Sequence, residues 1–403
     1  MKKLMILGAS VYQVPLIRTA KRMGLYTIVA SIPGDYPGFS DADKVCYINT
    51  TDKESILEVC KQEGVSGICT SGTDVAVATI GYVNEQMGLA GISEEAASKA
   101  CDKYEMKKAF RAGGVAASDF IKVTTYEEAS KAADEIGYPV VVKCVDSSGS
   151  RGINVVDSAD GLREAYDEAI KYCRKDYILI ESKLGGVEIG VDGMVQDGEV
   201  RLIAPHHKYT YKHKGATIPA GHSFPYHCNE KVQREIEKQA TLAARALGLD
   251  NCAFNSDVFV DGENVYIIEM GGRAGATGIP ELISIYYGFD FYEKMIQNAL
   301  GQKVDLSGSE VKTACMSKLL MSPVDGVISR IDMDRIDALR AEGNVIALDY
   351  KEGQSVEKMH NGTTRIGHLI ARTDDEAAVN SIMSKIYSAI YVGGSSMEEL
   401  WAK

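Results

Sequence analysis

The sequence predicts a multidomain protein of mixed α/β and α+β class. Three observations carry this. A chain of 403 residues exceeds what one hydrophobic core accommodates. Its first hundred residues alternate short β-rich runs with helical patterns, the mark of a parallel sheet with helices on both faces. Later segments pair longer strands through tight turns, the mark of antiparallel sheets.

In the first segment, Lys3–Ala9, Thr27–Ser31, Val45–Asn49 and Gly67–Ser71 are the β-rich runs. Between them Ser55–Glu63 sets Ile56, Leu57, Val59 and Cys60 at helical spacing, giving one apolar face. The turn Gly8-Ala9-Ser10 follows the first strand, where a doubly wound sheet often binds a ligand. Ser10 stands where a dinucleotide fingerprint needs its second glycine, so a tight turn into a helix is expected instead.

From about residue 95 the pattern changes. One long helix is expected over Glu94–Ala112, carrying Asp102-Lys103 and ending at Gly113-Gly114. A compact unit follows: helix Tyr126–Ile136, strand Pro139–Val145, a glycine loop, strand Ile153–Val156, helix Ala159–Tyr172 and strand Tyr177–Glu181. Strands Val187–Gln196 and Glu199–Ala204 turn at Asp197-Gly198, and helix Lys231–Leu247 precedes a further strand pair. From about residue 310 strands and helices mix, with Glu376–Ala389 the clearest helix.

A formal charge of −12 argues against nucleic acid as a partner, because neutralising phosphates needs a basic face. Nine cysteines are scattered without a C-x-x-C pair, several in apolar runs, and read as buried thiols of a reducing cytoplasm. No apolar run approaches the ~18–20 residues that span a bilayer, and Lys2-Lys3 leads straight into a strand rather than a signal peptide. A soluble cytoplasmic protein without membrane or nucleic-acid partners is the expectation.

The chemistry concentrates in two places. Asn255-Ser256-Asp257 and Tyr266-Ile267-Ile268-Glu269-Met270-Gly271-Gly272-Arg273 read as neighbouring strands carrying facing carboxylates, followed by an arginine on a glycine-flanked turn. Such a pair suits Mg²⁺ on phosphate oxygens, or else Glu269 and Arg273 form an internal salt bridge. In Val140–Ile153, Lys143 interrupts a buried strand, where an ammonium needs an anion. The turn Ser147-Ser148-Gly149-Ser150-Arg151-Gly152 is rich in backbone N–H groups that fold around phosphate. No Gly-Lys-Ser/Thr closes it, so it is not a Walker A loop.

In chain order these motifs are Asp102-Lys103, Lys143, Ser147–Gly152, Glu181-Ser182-Lys183-Leu184 with Glu188, Asp257, and Glu269-x-x-x-Arg273. That order resembles the ATP-grasp superfamily of carboxylate–amine ligases over roughly residues 1–300, and the remainder resembles its lid domain. The resemblance implies a Rossmann-like domain over 1–95, an ATP-grasp domain over 96–308 with a mobile subdomain at about 120–184, and a C-terminal α+β domain over 309–403.

It also implies roles. Lys103 and Lys143 would contact the α- and β-phosphates, and Ser147, Ser148, Gly149, Ser150, Arg151 and Gly152 would close over the β- and γ-phosphates. Glu181 would face the adenine, Lys183 and Leu184 would read its edge through the backbone, and Glu188 would take the ribose hydroxyls. Asp257 and Glu269 would hold two Mg²⁺ ions, Mn²⁺ being an alternative, and Arg273 would stabilise an acyl phosphate.

Two departures from the family pattern stand out. Gly271 occupies the usual asparagine position, and Asp257 replaces the usual glutamate. Asn255, two residues before Asp257 on the same strand face, is the expected substitute metal ligand.

Five of seven histidines lie within residues 206–227. Pro205–Lys214 reads as a solvated basic loop, a metal site, or a mobile loop bringing His207 and Lys208 to anionic substrate. Arg365-Ile366-Gly367-His368 resembles a lid motif, with Arg365 as a phosphate contact or a plain surface turn. The implied activity joins a small carboxylate to a small amine at the expense of ATP, with an amino-acid or dipeptide-type ligase foremost and a homodimer possible. Phosphoribosylamine–glycine ligase is the alternative, and a weakly catalytic ATP-binding regulator is a further one.

Overall fold

Leu4, Met5, Ile6 and Leu7 are fully buried, as a strand covered on both faces requires. In the computed structural model, which describes residues 1–146, 152–213, 216–360 and 364–402, this strand is central to a four-stranded parallel sheet. The order across it is Lys44–Tyr47, Tyr26–Ser31, Lys3–Leu7, Gly67–Cys69. The helix Lys53–Glu63 packs Ile56, Leu57 and Cys60 inward, starts on Asp52 and stops at Gly64 in the left-handed region.

The chain forms two compact units. The first is Met1–Pro205 with His227–Ala276 and Asp290–Leu306; the second is His206–Tyr226 with Thr277–Phe289 and Ser307–Lys403. Besides the parallel sheet, the first unit holds a four-stranded sheet in the order Phe120–Val123, Ile178–Ser182, Val140–Cys144, Ile153–Val156. Helices Tyr126–Ile136 and Leu162–Tyr172 bury Ala129, Ala133, Ala165 and Ala169 against Val140, Val142, Ile178 and Ile180. Thr125 and Glu128 form a capping box on the first of these helices. The strands Val187–Gln196, Cys252–Asp261 and Asn264–Gly271 run antiparallel beside one another. Asp197 and Gly198, with φ of 52° and 73°, make the tight turn read from the sequence.

The single helix expected over 94–112 is two, Glu94–Cys101 and Lys103–Ala112. Asp102 breaks it: its backbone is extended and its carboxylate accepts from the Tyr104 and Glu105 N–H groups, capping the second helix. A side chain that satisfies two orphan donors outcompetes helix continuation at that residue.

The strand expected to stop at Ala204 continues to His213, and its residues are divided between the units. In the second unit, Ala216–Phe224, Cys315–Met321, Arg365–Ala371 and Val345–Leu348 pair in sequence across an antiparallel sheet. A smaller sheet orders Ser355–Val356, Gly326–Ile331, Ile390–Val392 and Ser395–Ser396. Met316, Leu320, Ile328, Leu369, Val379 and Ile386 form the shared core, the helix Glu376–Ala389 giving the last two. Among the described residues no helix is long and apolar enough to cross a membrane.

Candidate active site

The carboxylate hairpin forms as read. Asp257 and Glu269 are direct partners across the strands, and Asn255 faces Gly271. Asp261 and Asn264 pair at the closed end, with Gly262 left-handed at φ 61°. Glu269 lies two residues before the strand end and its side chain is 41% exposed, so its carboxylate is offered outward rather than sealed in the core.

Lys103 opens the helix Lys103–Ala112, and its ammonium stands 3.5 Å from Glu269 Oε2. Burial alone would lower its pKa, yet the charges of Glu269 and Asp74 hold it above the usual lysine value. The Asp102 carboxylate beside it takes the Lys175 ammonium and, at 2.7 Å, the Tyr177 hydroxyl. Asp102 thereby fixes where the helix starts, and so where Lys103 points.

Lys143 is buried, with its ammonium 2.8 Å from Glu181 Oε2. The same oxygen accepts from Ser118 Oγ at 2.6 Å and lies 3.4 Å from the Lys107 ammonium. Lys107 in turn donates to Ser118 at 2.7 Å. One carboxylate thus serves two buried ammoniums. Burial works to raise the Glu181 pKa, but Lys107, Lys143 and the Ser118 hydrogen bond outweigh it and hold the acid at about 2. Burial brings Lys107 down to about 8 against the pull of Glu181. Glu181 Oε1 is buried without a hydrogen-bond partner among the described residues.

Lys107 was not singled out in the sequence. Its signal is the spacing Lys103-x-x-x-Lys107, one helical turn, on a helix whose Met106 and Phe110 are also buried.

Beyond Glu181, the Lys183 N–H makes a long bond of 3.4 Å to the Pro139 carbonyl, and Leu184 is half-buried. Glu188 is half-buried near the start of its strand, opposite Phe259. Ser147, Ser148, Gly149, Ser150 and Arg151 lie outside the described residues. Gly152 is left-handed at φ 67°, and a Cβ there would press within 3.0 Å of Cys144 Cβ. Cys144 donates its N–H to the Gly152 carbonyl at 2.9 Å, closing the base of the loop.

Arg273 does not pair with Glu269. Its Nε and Nη2 each lie 2.7 Å from an oxygen of Asp74, a residue the sequence reading passed over. Its Nη1 donates to Asn255 Oδ1 at 2.8 Å. The amide oxygen expected to replace a metal ligand is therefore turned to Arg273, while Asn255 Nδ2 donates to Asp192 at 2.7 Å.

His207, Lys208 and Arg365 belong to the second unit. Pro205–His213 is strand rather than loop, and His206 is wholly buried, its ring 4.8 Å from that of His222. His207 is half-buried against Tyr226, and Lys208 faces His222 across the strands. Arg365 is 3% exposed and its Nε lies 2.7 Å from Asp349, so its guanidinium is engaged inside its own unit rather than set on a surface turn.

Facing carboxylates with the Lys103 ammonium beside them make a site suited to a divalent cation and phosphate oxygens, set in an α/β chain of parallel and antiparallel sheets. A family model described as D-ala D-ala ligase C-terminus matches residues 109–298. The chain is 27% identical over 322 residues to the carbamoyl phosphate synthase large chain of Clostridium acetobutylicum, covering 77% of this chain and 29% of that one. It is 26% identical over 278 residues to the alanine–anticapsin ligase of Bacillus subtilis, covering 63% of this chain and 58% of the relative. The crystal structure of phosphoribosylglycinamide synthetase from Anaerococcus prevotii superposes with a TM-score of 0.80 at 26% identity, covering 97% of this chain and 99% of that one. In sequence and in fold the chain is similar to the ATP-grasp superfamily of carboxylate–amine ligases.

Proposed function

We propose that the protein activates a small carboxylate as an acyl phosphate with ATP and joins it to an amine, with an amino-acid or dipeptide-type pair as substrates. The observation that carries this is the Lys103 ammonium 3.5 Å from Glu269, which faces Asp257 across the hairpin. A phosphate-seeking cation there adjoins two hard oxygen donors, a donor set that fits Mg²⁺. Bound at Asp257 and Glu269, Mg²⁺ supplies charge neutralisation of the phosphate oxygens. Two ions, with Mn²⁺ as a substitute, form part of the proposal.

In the first step a carboxylate oxygen bonds to the γ-phosphorus while the bond to the ADP oxygen breaks. In the second, the amine nitrogen bonds to the acyl carbon, inorganic phosphate leaves, and the amine loses a proton. Lys103 and Lys143 orient the phosphates, and Arg273 stabilises the charge of the transferring group. Glu181 Oε1, buried without a partner among the described residues, suits an amino donor such as that of adenine. Lys183, Leu184 and Glu188 extend the nucleotide site along the same chain segment, and Ser147–Gly152 covers the phosphates. The subdomain at about 120–184 closes over the acyl phosphate and excludes water. A homodimer in the cytoplasm completes the proposal, which the nine free cysteines suit.

A grid of carboxylates and amines with Mg-ATP, read as ADP release, tests this. Release that needs both a carboxylate and an amine supports it; none with any pair, while ATP still binds, favours a nucleotide-binding regulator. The likeness to the A. prevotii synthetase favours a second reading, phosphoribosylamine–glycine ligation. Release confined to phosphoribosylamine with glycine would select that reading.

A further inference from the structure

We propose that Asp74 is a positioning residue for Arg273 and that Gly271 is the space that admits it. The inference deepens the ligase reading and rests on it. Asp74 follows the edge strand Gly67–Cys69 of the parallel sheet, far in sequence from the hairpin. Ser71 forms a parallel bridge with Ala274, and the Gly72 N–H donates to the Ala274 carbonyl at 3.1 Å. These contacts carry the Asp74 segment to the turn that bears Arg273.

The guanidinium is gripped on three sides. Nε and Nη2 form a two-pronged pair with Asp74, both at 2.7 Å. Nη1 donates to Asn255 Oδ1 at 2.8 Å and to the Ala274 carbonyl at 3.2 Å. Asn255 is held in turn by Asp192, whose other oxygen accepts from the Gly275 N–H at 2.8 Å. Asp192 is fully buried. Among the described residues four N–H groups of Arg273 are thus engaged, which leaves the second N–H of Nη2 for a substrate oxygen. Arg273 meets the transferring group with one donor rather than with its fork.

Gly271 is the other half of the device. Its φ lies outside the left-handed region, so the backbone does not demand glycine there. The room does. A Cβ on residue 271 would stand 2.8 Å from Asp74 Oδ1, inside van der Waals contact. A side chain at 271 and the Asp74 carboxylate therefore cannot both keep these positions. The Asp74 side chain is 38% exposed, so it can shift if pressed, but any shift turns Arg273 with it.

Two variant cycles test this on the full chain, with ADP release as the readout and the unfolding temperature followed throughout. Asp74→Asn keeps the shape but loses the charge and one acceptor. It should lower turnover about 10–100-fold while the KM for ATP stays within a few-fold. In the Arg273→Lys background it should lower turnover no further, because Asp74 acts through Arg273. Losses that multiply in the double variant overturn the positioning role.

Gly271→Ala should lower turnover when Asp74 is present and add nothing in the Asp74→Ala background. Equal losses in both backgrounds overturn the steric half. If the native protein releases no ADP with any substrate pair, the ligase reading falls by itself. The unfolding temperature then decides the pairing: Gly271→Ala must lower it less in the Asp74→Ala background than in the native one, and equal drops overturn the inference.

Discussion

Glu181 concentrates the energetics of the proposed nucleotide side of the site, because a single oxygen accepts from Ser118 and Lys143 and faces Lys107. Removing an acid from such a buried set leaves two ammoniums uncompensated. Glu181→Ala should therefore destabilise the protein by about 3–5 kcal/mol in chemical denaturation. Lys143→Ala should cost less stability, since Lys107 remains to pair the carboxylate. It should instead weaken ATP binding by roughly 1.5–3 kcal/mol, the range for a charge-assisted contact. Calorimetric titration of ATP beside urea unfolding separates the two; unchanged affinity in Lys143→Ala would remove Lys143 from the phosphate site. Lys143 was legible because a lysine in a β-rich run is conspicuous. Lys107 was not, because a lysine on a helix that also carries Lys103, Glu105, Lys108 and Arg111 looks like any solvated face. Asp74 was hidden for another reason: it lies 199 residues from the arginine it holds, and no local pattern encodes such a distance.

Among the elements, those set by period and turn chemistry were legible. The hairpin read from Asn255–Arg273 pairs Asp257 with Glu269, and the turn Asp197-Gly198 has both residues at positive φ. The break at Asp102 was missed because good helix formers flank it, and propensity summed along the segment outvotes a single cap. The long strand through His213 was missed because Pro205 and a run of histidines and lysines read as loop, whereas tertiary burial of His206 decides. Asp102 is also where an element meets the chemistry. Asp102→Ala removes the cap of Lys103–Ala112 together with the partner of Lys175 and Tyr177. A loss of about 1–2 kcal/mol is expected from the cap alone. ADP turnover should fall more than that stability loss accounts for, because Lys103 is the first residue of the helix. Asp102→Asn, which still caps, should recover most of the stability. If Asp102→Ala leaves turnover untouched at a temperature where the protein is folded, Lys103 does not depend on the cap.

For the whole molecule, pH reports which buried groups dominate. Glu181 is held at about 2, below its ordinary 4.5, so its contribution is complete above pH 4.5 and lost as pH falls toward 2. Lys107 has its pKa lowered to about 8 from 10.5, so the unfolded chain binds the extra proton between those values and stability gains from Lys107 as pH rises. The cysteines oppose that gain. Burial raises Cys60, Cys69, Cys252 and Cys315 to about 12 and Cys101 to about 11, from an ordinary value of 9.0. Above pH 9 the unfolded thiols ionise while the folded ones keep their protons, and each subtracts about 1.4 kcal/mol per pH unit. Five thiols outweigh one lysine whose own gain has the same size per pH unit. Burial also lowers the His222 pKa and brings His368 to about 3, so below pH 6.5 the unfolded imidazoles take protons that the folded ones refuse. Stability should therefore hold a plateau from about pH 6.5 to 8.5, fall toward pH 2, and fall again by pH 10. Urea unfolding under reducing conditions across that range checks it. Glu181→Gln should flatten the acid limb, and Cys69→Ala with Cys252→Ala should make the alkaline limb shallower. Stability that kept rising to pH 10 would mean that Lys107, and not the buried thiols, governs the alkaline response.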